Sequence, residues 1–143
     1  MESPEELAIR YFNSGYNCAE SVLKAVAESA DVNIEDPQRF ATGFGGGIAR
    51  QGYTCGCLTG AVMAVSLLAG RIAPEDVAGK DRVYAATTRL FEKFKGQAGA
   101  FDCRDISGLK FDQATHVNVC CPLVGFAARE ASEEIAKLRE AAR

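Results

Sequence analysis

Cysteines at predicted helix starts are the residues of this chain best suited to chemistry. The chain has six cysteines, and four of them, Cys18, Cys55, Cys103 and Cys121, lie at or beside a predicted helix N-terminus. The unpaired amides and the positive end of the helix dipole favour thiolate over thiol at such a position. Because the thiolate is the form that binds metals and reacts, the pattern predicts a metal or redox site built from these sulfurs.

The strongest helix start follows the glycine-rich segment 43–52. Thr54 is a favourable N-cap residue, which predicts a helix from Cys55 to Ala69 with Cys55 at about its first position and Cys57 at about its third. This helix is apolar nearly all round, which is typical of a central helix. The preceding glycines are expected to serve tight turns and close backbone approach.

Two further cysteines follow predicted capping residues. Asn17 is predicted to cap a helix in which Cys18 is the first residue. Asp102 is predicted to cap a short helix in which Cys103 is first. Both sulfurs are therefore expected to face free backbone amides.

The last helix is predicted to begin at Cys121-Pro122, because proline is favoured in the first turn of a helix. Residues 109–119 before it are predicted to form an exposed loop. His116 lies in that segment and is expected to be solvated rather than a ligand.

Apolar residues at helical spacing, with no convincing strand, predict an all-α fold. The 143 residues, 48% of them hydrophobic, suffice for one core. We expect a single domain over 1–143, a compact bundle of about five or six helices. The remaining helices are predicted to begin at Ser3-Pro4, Asp36-Pro37 and Ala73-Pro74.

Composition excludes several classes of protein. The net charge of −3 without a basic cluster argues against nucleic-acid binding. The longest apolar stretch, Leu58 to Ala69, is shorter than the roughly 20 residues that cross a membrane. The acidic N-terminus does not resemble a signal peptide, so a cytoplasmic protein is expected. In a reducing compartment, six cysteines indicate metal binding or redox chemistry rather than disulfides.

The four cysteines are far apart in the chain and can meet only if folding brings several helix starts to one end of the bundle. A four-thiolate site among free amides suits an iron–sulfur cluster, such as [2Fe–2S]. The spacing matches neither a zinc finger nor a ferredoxin, so zinc or no metal stay open. Burial in the core is the alternative interpretation for each cysteine, since Cys is among the most buried residues.

Other residues near these sulfurs are secondary candidates. Cys57 and Cys120 are either additional ligands or packing residues. Arg50, Gly56 and Arg104 are expected as neighbours of the site, with the arginines balancing anionic sulfur or binding an anionic substrate, or simply lying on the surface. No catalytic residue is identified, and whether the protein is an enzyme stays open.

The ordered motifs resemble the C_GCAxxG_C_C family, whose members are described as redox-active proteins. The resemblance covers about Gly15 to Ala136. It is carried by the segments Asn17–Leu23, Gly43–Gly47, Thr54–Gly56 with Gly60-Ala61, Cys103-Arg104 and Cys121-Pro122.

The family is also similar to the non-haem part of split-Soret cytochrome c, where cysteines hold an iron–sulfur cluster. This resemblance implies that Cys18, Cys55, Cys103 and Cys121 are the ligands. The chain departs from the family where Cys57 replaces a small residue and where Cys120 doubles the last cysteine. It has no C-x-x-C-H motif, so covalent haem is not expected.

Three functions follow from these observations. The first is a cluster or metal protein that transfers or senses electrons with an unknown redox partner protein. The second is a metal-free thiol–disulfide redox protein. The third is a non-redox helical module, stapled by zinc or metal-free, that binds a partner or forms a homodimer.

Overall fold

Seven α-helices make up most of the computed structural model, which describes residues 1–142. They are α1 (Pro4–Ser14), α2 (Cys18–Ser29), α3 (Gly56–Ala69), α4 (Val77–Ala98), α5 (Cys103–Ser107), α6 (Gln113–Thr115) and α7 (Cys121–Ala141). A 3₁₀ helix spans Pro37–Phe44, and a π-helical turn spans His116–Cys120. No strand occurs among these residues, so the all-α prediction is confirmed, with seven helices rather than five or six.

The predicted start of α2 is confirmed. The Asn17 side chain accepts a hydrogen bond from the Glu20 N–H at 2.8 Å, and the Glu20 carboxylate accepts one from the Asn17 N–H at 2.9 Å. This capping box satisfies backbone donors that the helix itself leaves free. Cys18 is therefore the first residue of α2.

Helix α3 lies at the centre of the bundle, as its apolar sequence predicts, and packs against α2, α4 and α7. Leu58 is 1% exposed and Val65 is fully buried. Gly60 permits the closest approach to α2, because a Cβ there would lie 2.8 Å from the Ala19 carbonyl oxygen. A side chain at this position would push the two helices apart.

The start of α3 differs from the prediction by one residue. Thr54 was expected as the N-cap, but Cys55 is the N-cap and Gly56 the first helical residue. Thr54 instead forms an isolated antiparallel bridge with Asp102. The long-range pairing of Thr54 therefore overrides its local preference for the N-cap position.

A buried ion pair ties α4 to α7. The Glu134 side chain is fully buried, and its carboxylate accepts hydrogen bonds from Arg89 Nη2 at 2.8 Å and Arg89 Nε at 3.0 Å. Lys93 and Lys137 lie 3.8 and 3.7 Å from the same carboxylate. This two-pronged contact fixes the register of the two helices.

The segment before α7 is the largest departure from the prediction. Residues 109–119 were expected to form a loop, but α6, the π turn and α7 follow one another without interruption from Gln113 to Ala141. Asp112 caps this run by accepting a hydrogen bond from the Thr115 N–H at 2.9 Å. Helix α7 begins at Cys121 as predicted, but the π turn precedes it without a break, so Cys121 does not lie at a free helix N-terminus.

Pro122 accounts for the π turn. A proline inside a helix lacks the N–H donor, and its ring clashes with the carbonyl four residues earlier. The backbone widens just before it, and the Cys121 N–H donates to the His116 carbonyl five residues back. Such π turns are frequent at functional sites.

Two further elements differ from the prediction, one in its type and one in where it begins. The element expected at Asp36-Pro37 is a 3₁₀ helix. The helix expected from Ala73 begins at Val77, where the Asp76 side chain accepts from the Gly79 N–H. Within residues 1–142, none of the helices combines the length and the apolar character needed to span a membrane.

Candidate functional site

Five of the six cysteines line a single cavity of about 490 Å³. They come from four separate parts of the chain: Cys18, Cys55 and Cys57, Cys103, and Cys120. All six cysteines are free thiols. Cys121 does not line the cavity; its neighbour Cys120, at the end of the π turn, takes that place.

A short backbone ladder holds Cys55 and Cys103 beside each other. The Cys103 N–H donates to the Tyr53 carbonyl at 2.7 Å, and the Cys55 N–H donates to the Phe101 carbonyl at 2.8 Å. Segments that are far apart in the chain thus pair in antiparallel fashion. The ladder fixes two cysteines by backbone contacts that do not depend on their side chains.

Two glycines make room for cysteine side chains. A Cβ at Gly56 would overlap the Cys18 sulfur, and a Cβ at Gly47 would lie 2.8 Å from the Cys103 Cβ. Gly47 also has φ +69°, which disfavours other residues. Gly56 therefore adjoins the first cysteine of the cavity directly.

The glycine-rich loop forms another wall of the cavity. Residues 46–50 all have positive φ, between 48° and 69°. Glycine was expected to provide such turns, but Ile48, Ala49 and Arg50 share the left-handed conformation, at a cost of about 1–2 kcal/mol each. The Ala49 N–H donates to the Gly43 carbonyl and the Arg50 N–H donates to the Gly45 carbonyl, and these hydrogen bonds stabilise the turn.

The Cys18 and Cys57 thiols are unequal partners. The hydrogen bond from the Cys57 thiol is the largest influence on the pKa of Cys18 and lowers it. Burial opposes this effect, but the backbone N–H groups of Gly46 and Ala19 add to it, so the pKa of Cys18 falls to about 7. The same contact with Cys18, then contact with Cys55 and burial, raises the pKa of Cys57 well above its usual value. At neutral pH Cys18 is therefore partly thiolate while Cys57 keeps its proton.

The pKa values of three other cysteines are raised rather than lowered. Burial raises the pKa of Cys103 despite its place at the start of α5, and burial raises the pKa of Cys121. Burial and the neighbouring sulfurs raise the pKa of Cys120 to about 12. For Cys103 and Cys121, burial therefore opposes the thiolate form that a helix start is expected to favour.

The cavity wall carries more cationic than anionic groups. Arg50 and Lys110 line it, and within residues 1–142 neither lies within ion-pair distance of a carboxylate. Asp112 lines it too, but its carboxylate caps α6. Arg104 lies outside the cavity wall, where its Nε donates to the Gly52 carbonyl at 3.1 Å.

His116, expected to be solvated, is half-buried and lines the cavity. Its ring stacks on Phe12, with ring centroids 3.9 Å apart, and its Nε2 lies 2.9 Å from Asn13 Oδ1. Cys121 Sγ lies 4.0 Å from the same Asn13 oxygen. The spacing of four residues between His116 and Cys120 is the signal that finds this residue, once the segment is recognised as helical.

The sulfurs are not gathered around one point. Among the described residues, no group of three or more His, Cys, Asp or Glu side chains is arranged to hold a metal ion. A single zinc ion requires its sulfur ligands at about 2.3 Å from a common centre. The arrangement therefore differs from a structural zinc site.

Comparisons with known proteins agree with the cysteine pattern. Residues 16–134 match the family described as "Putative redox-active protein (C_GCAxxG_C_C)". The chain is also 30% identical over 113 residues to an uncharacterised protein of Archaeoglobus fulgidus, an alignment that covers 74% of this chain and 75% of the relative. No solved structure matches the chain. The chain belongs to the C_GCAxxG_C_C family, which is described as redox-active.

Proposed function

We propose that the protein transfers or senses electrons through an iron–sulfur cluster held in the cysteine-lined cavity. The observation that carries this proposal is the convergence of five sulfurs from four chain segments on one cavity of about 490 Å³. Cys18, Cys55, Cys103 and Cys120 would be the ligands. Cys120 replaces Cys121 in this set because only Cys120 lines the cavity.

The donor set and the space both suit a cluster. Thiolates are the ligands of iron–sulfur clusters, and four cysteines are divided among two or more irons, so they need not meet at a single ion. This agrees with sulfurs that are near each other but not focused on one point. The cavity is also far larger than the ~30 Å³ share of one water molecule, and therefore larger than a single ion requires.

The surrounding residues would adjust the properties of such a cluster, which when bound supplies one-electron transfer. Backbone N–H groups of Gly46 and Ala19 point at the Cys18 sulfur, and hydrogen bonds to cluster sulfurs set the potential. Cys57 would add a thiol donor at the same sulfur. Arg50 and Lys110 would offset the negative charge of the thiolates.

A metal-free dithiol is the second candidate function, favoured by the lowered pKa of Cys18 and by the place of Cys57 on the same cavity wall. A Cys18 thiolate that attacks a disulfide oxidant would form a mixed disulfide, which Cys57 would resolve. The Cys18–Cys57 pair would lose two electrons and two protons, and the oxidant would be reduced to two thiols. This function needs only two of the cysteines that line the cavity.

Preparation under oxygen-free conditions separates the two functions. Visible absorption, electron paramagnetic resonance, and iron and acid-labile sulfide analysis are measured on the same sample. The cluster proposal expects stoichiometric iron and sulfide with a charge-transfer spectrum. Colourless, iron-free protein that resists reconstitution would contradict it. Loss of two thiols, mapped to Cys18 and Cys57 after treatment with a disulfide oxidant, would then favour the dithiol function.

A further inference from the structure

Exposed aromatic and cationic side chains form a patch at the mouth of the cavity. We call it the rim patch: Arg50, Tyr53, Arg104, Leu109, Lys110 and Phe111. Its three large apolar members are substantially exposed, Tyr53 by 55%, Leu109 by 47% and Phe111 by 49%. Exposed apolar surface of this kind marks interaction sites.

One half of the rim patch is organised around Gly52. The Arg104 backbone N–H and Nε both donate to the Gly52 carbonyl, at 3.2 and 3.1 Å. The Arg104 guanidinium lies 5.1 Å from the centre of the Tyr53 ring. A Cβ at Gly52 would be 3.1 Å from a methyl carbon of Leu109, so Tyr53, Arg104 and Leu109 are neighbours.

The other half adjoins the cavity itself. The Arg50 guanidinium lies 5.2 Å from the centre of the Phe111 ring. Arg50, Lys110 and Phe111 all line the cavity. The rim patch therefore reaches from the cysteine site to the open surface.

The cations of the rim patch form no close ion pairs in the described residues. Within residues 1–142, Arg50, Arg104 and Lys110 form no ion pair with a carboxylate, whereas six other cations do: Arg10, Lys24, Arg89, Lys93, Arg129 and Lys137. The acidic residues nearby in the chain are Asp102, Asp105 and Asp112, and none of them lies within ion-pair distance of a rim-patch cation in the described residues. The residues that line the cavity include two cations, Arg50 and Lys110, against one carboxylate, that of Asp112.

We propose that the rim patch is the docking surface for an acidic protein that exchanges electrons with the cavity. This inference rests on the proposed function. Arg, Tyr and Phe are enriched where interfaces are most buried, and complementary charge steers association and fixes orientation. Electron-transfer interfaces are also small, below about 1,200 Å², which suits a patch of six side chains beside the redox centre.

A small acidic [2Fe–2S] ferredoxin serves as the probe protein, with binding measured by biolayer interferometry at low and high salt. The charge variant is Arg50→Gln/Arg104→Gln/Lys110→Gln. Its matched control is Arg39→Gln/Arg71→Gln/Lys80→Gln, which removes the same charge from positions that do not line the cavity. Arg39 and Lys80 also lie over exposed aromatic rings, those of Phe40 and Tyr84, so they test the same chemistry elsewhere.

The charge variant is expected to lower the association rate constant of the probe about tenfold and to flatten its salt dependence, while the control stays within about twofold of wild type. A second variant, Tyr53→Ala/Leu109→Ala, leaves the cavity wall intact. It is expected to raise the dissociation constant about tenfold at any salt. Undetectable binding of the probe to wild type, or equal losses in the control, would overturn the proposal.

Cluster content and probe binding are measured separately, so the two proposals fail separately. If cluster-loaded protein does not bind the acidic probe, only the docking-surface proposal is contradicted. Iron-free protein that binds the probe through the rim patch contradicts the cluster and supports the docking surface.

Discussion

The Cys18 sulfur occupies the space in which a side chain at Gly56 would lie. Glycine at the first position of α3 therefore lets the first cysteine of α2 reach the cavity. The contact joins the helix that carries Cys18 to the central helix, and it depends on the absence of a single methyl group.

The variant Gly56→Ala tests this contact. The added methyl group has to displace the Cys18 sulfur or separate α2 from α3, so we expect a loss of about 1–3 kcal/mol in the free energy of unfolding. Urea unfolding provides the measurement. Gly96→Ala is the matched control, because a Cβ at Gly96 in α4 meets no atom within 4 Å, and alanine there is expected to stabilise the helix by up to about 1 kcal/mol. Equal effects of the two substitutions would contradict the packing described.

Replacing Cys57 tests the origin of the Cys18 pKa. Cys57→Ala removes the thiol donor, so the pKa of Cys18, about 7 in the wild type, is expected to rise. Cys57→Ser keeps a donor and should give a smaller rise. The measurement is the pH dependence of Cys18 alkylation by iodoacetamide in metal-free protein, followed by peptide mass spectrometry. An unchanged pKa in Cys57→Ala would show that the backbone amides act alone.

Removing Arg89 tests the buried ion pair. Burial alone would raise the pKa of Glu134, but the hydrogen bond and charge of Arg89, with the charges of Lys137 and Lys93, outweigh it and lower that pKa. Arg89→Gln is expected to cost about 1–3 kcal/mol at neutral pH, because the buried carboxylate loses its hydrogen-bonded partner, although Arg89 is 41% exposed and Lys93 and Lys137 stay nearby. Arg129→Gln, which breaks the more exposed pair with Glu5, should cost less than about 1 kcal/mol.

The Glu134 pair also has a defined pH dependence. Because the folded pKa of Glu134 lies below its unfolded value, the stabilisation is present above the unfolded value and is lost as pH falls through the folded pKa. The difference between wild type and Arg89→Gln should therefore shrink as urea unfolding is repeated down to about pH 3. A difference that is constant with pH would mean that Arg89 acts through packing rather than through the carboxylate.

Replacing Pro122 tests the cause of the π turn. Pro122→Ala restores the missing N–H donor, so the helix can continue in regular α geometry. A π turn holds about one residue more than an α turn, so a return to α geometry rotates the preceding residues by about 100°. This rotation should move His116 and Cys120 away from their places on the cavity wall. Circular dichroism should show unchanged or higher helicity, while alkylation of Cys120 changes. Unchanged alkylation of Cys120 would show that Pro122 is not the cause of the π turn.

Local sequence signals were sufficient where local chemistry decides the structure. The capping boxes at Ser3 and Asn17 lie where the sequence predicts them, because side chain and backbone within one turn determine such starts. The central position of α3 followed from its apolar composition. These signals also predicted that Cys18 and Cys103 begin helices.

Long-range contacts decided the features that the sequence did not predict. Thr54 pairs with Asp102, so the cap moves to Cys55, and the pairing partner is 48 residues away. The sequence predicts a loop before Pro122 because proline normally starts a helix, whereas in the structure a π turn accommodates the proline. That difference exchanges Cys120 for Cys121 at the cavity and brings in His116. The thiol pKa values likewise depend on burial and on hydrogen bonds between distant residues, which only the assembled bundle defines.

The adjacent residues Cys120 and Cys121 offer the most direct test of the central claim. The claim is that the sulfurs lining the cavity act together as ligands. Iron and acid-labile sulfide per chain are measured in oxygen-free preparations of wild type, Cys120→Ser and Cys121→Ser. We predict a full complement in wild type and in Cys121→Ser, and a loss of most of the iron in Cys120→Ser. Iron retained in Cys120→Ser but lost in Cys121→Ser, or iron absent from wild type after reconstitution, would contradict the account.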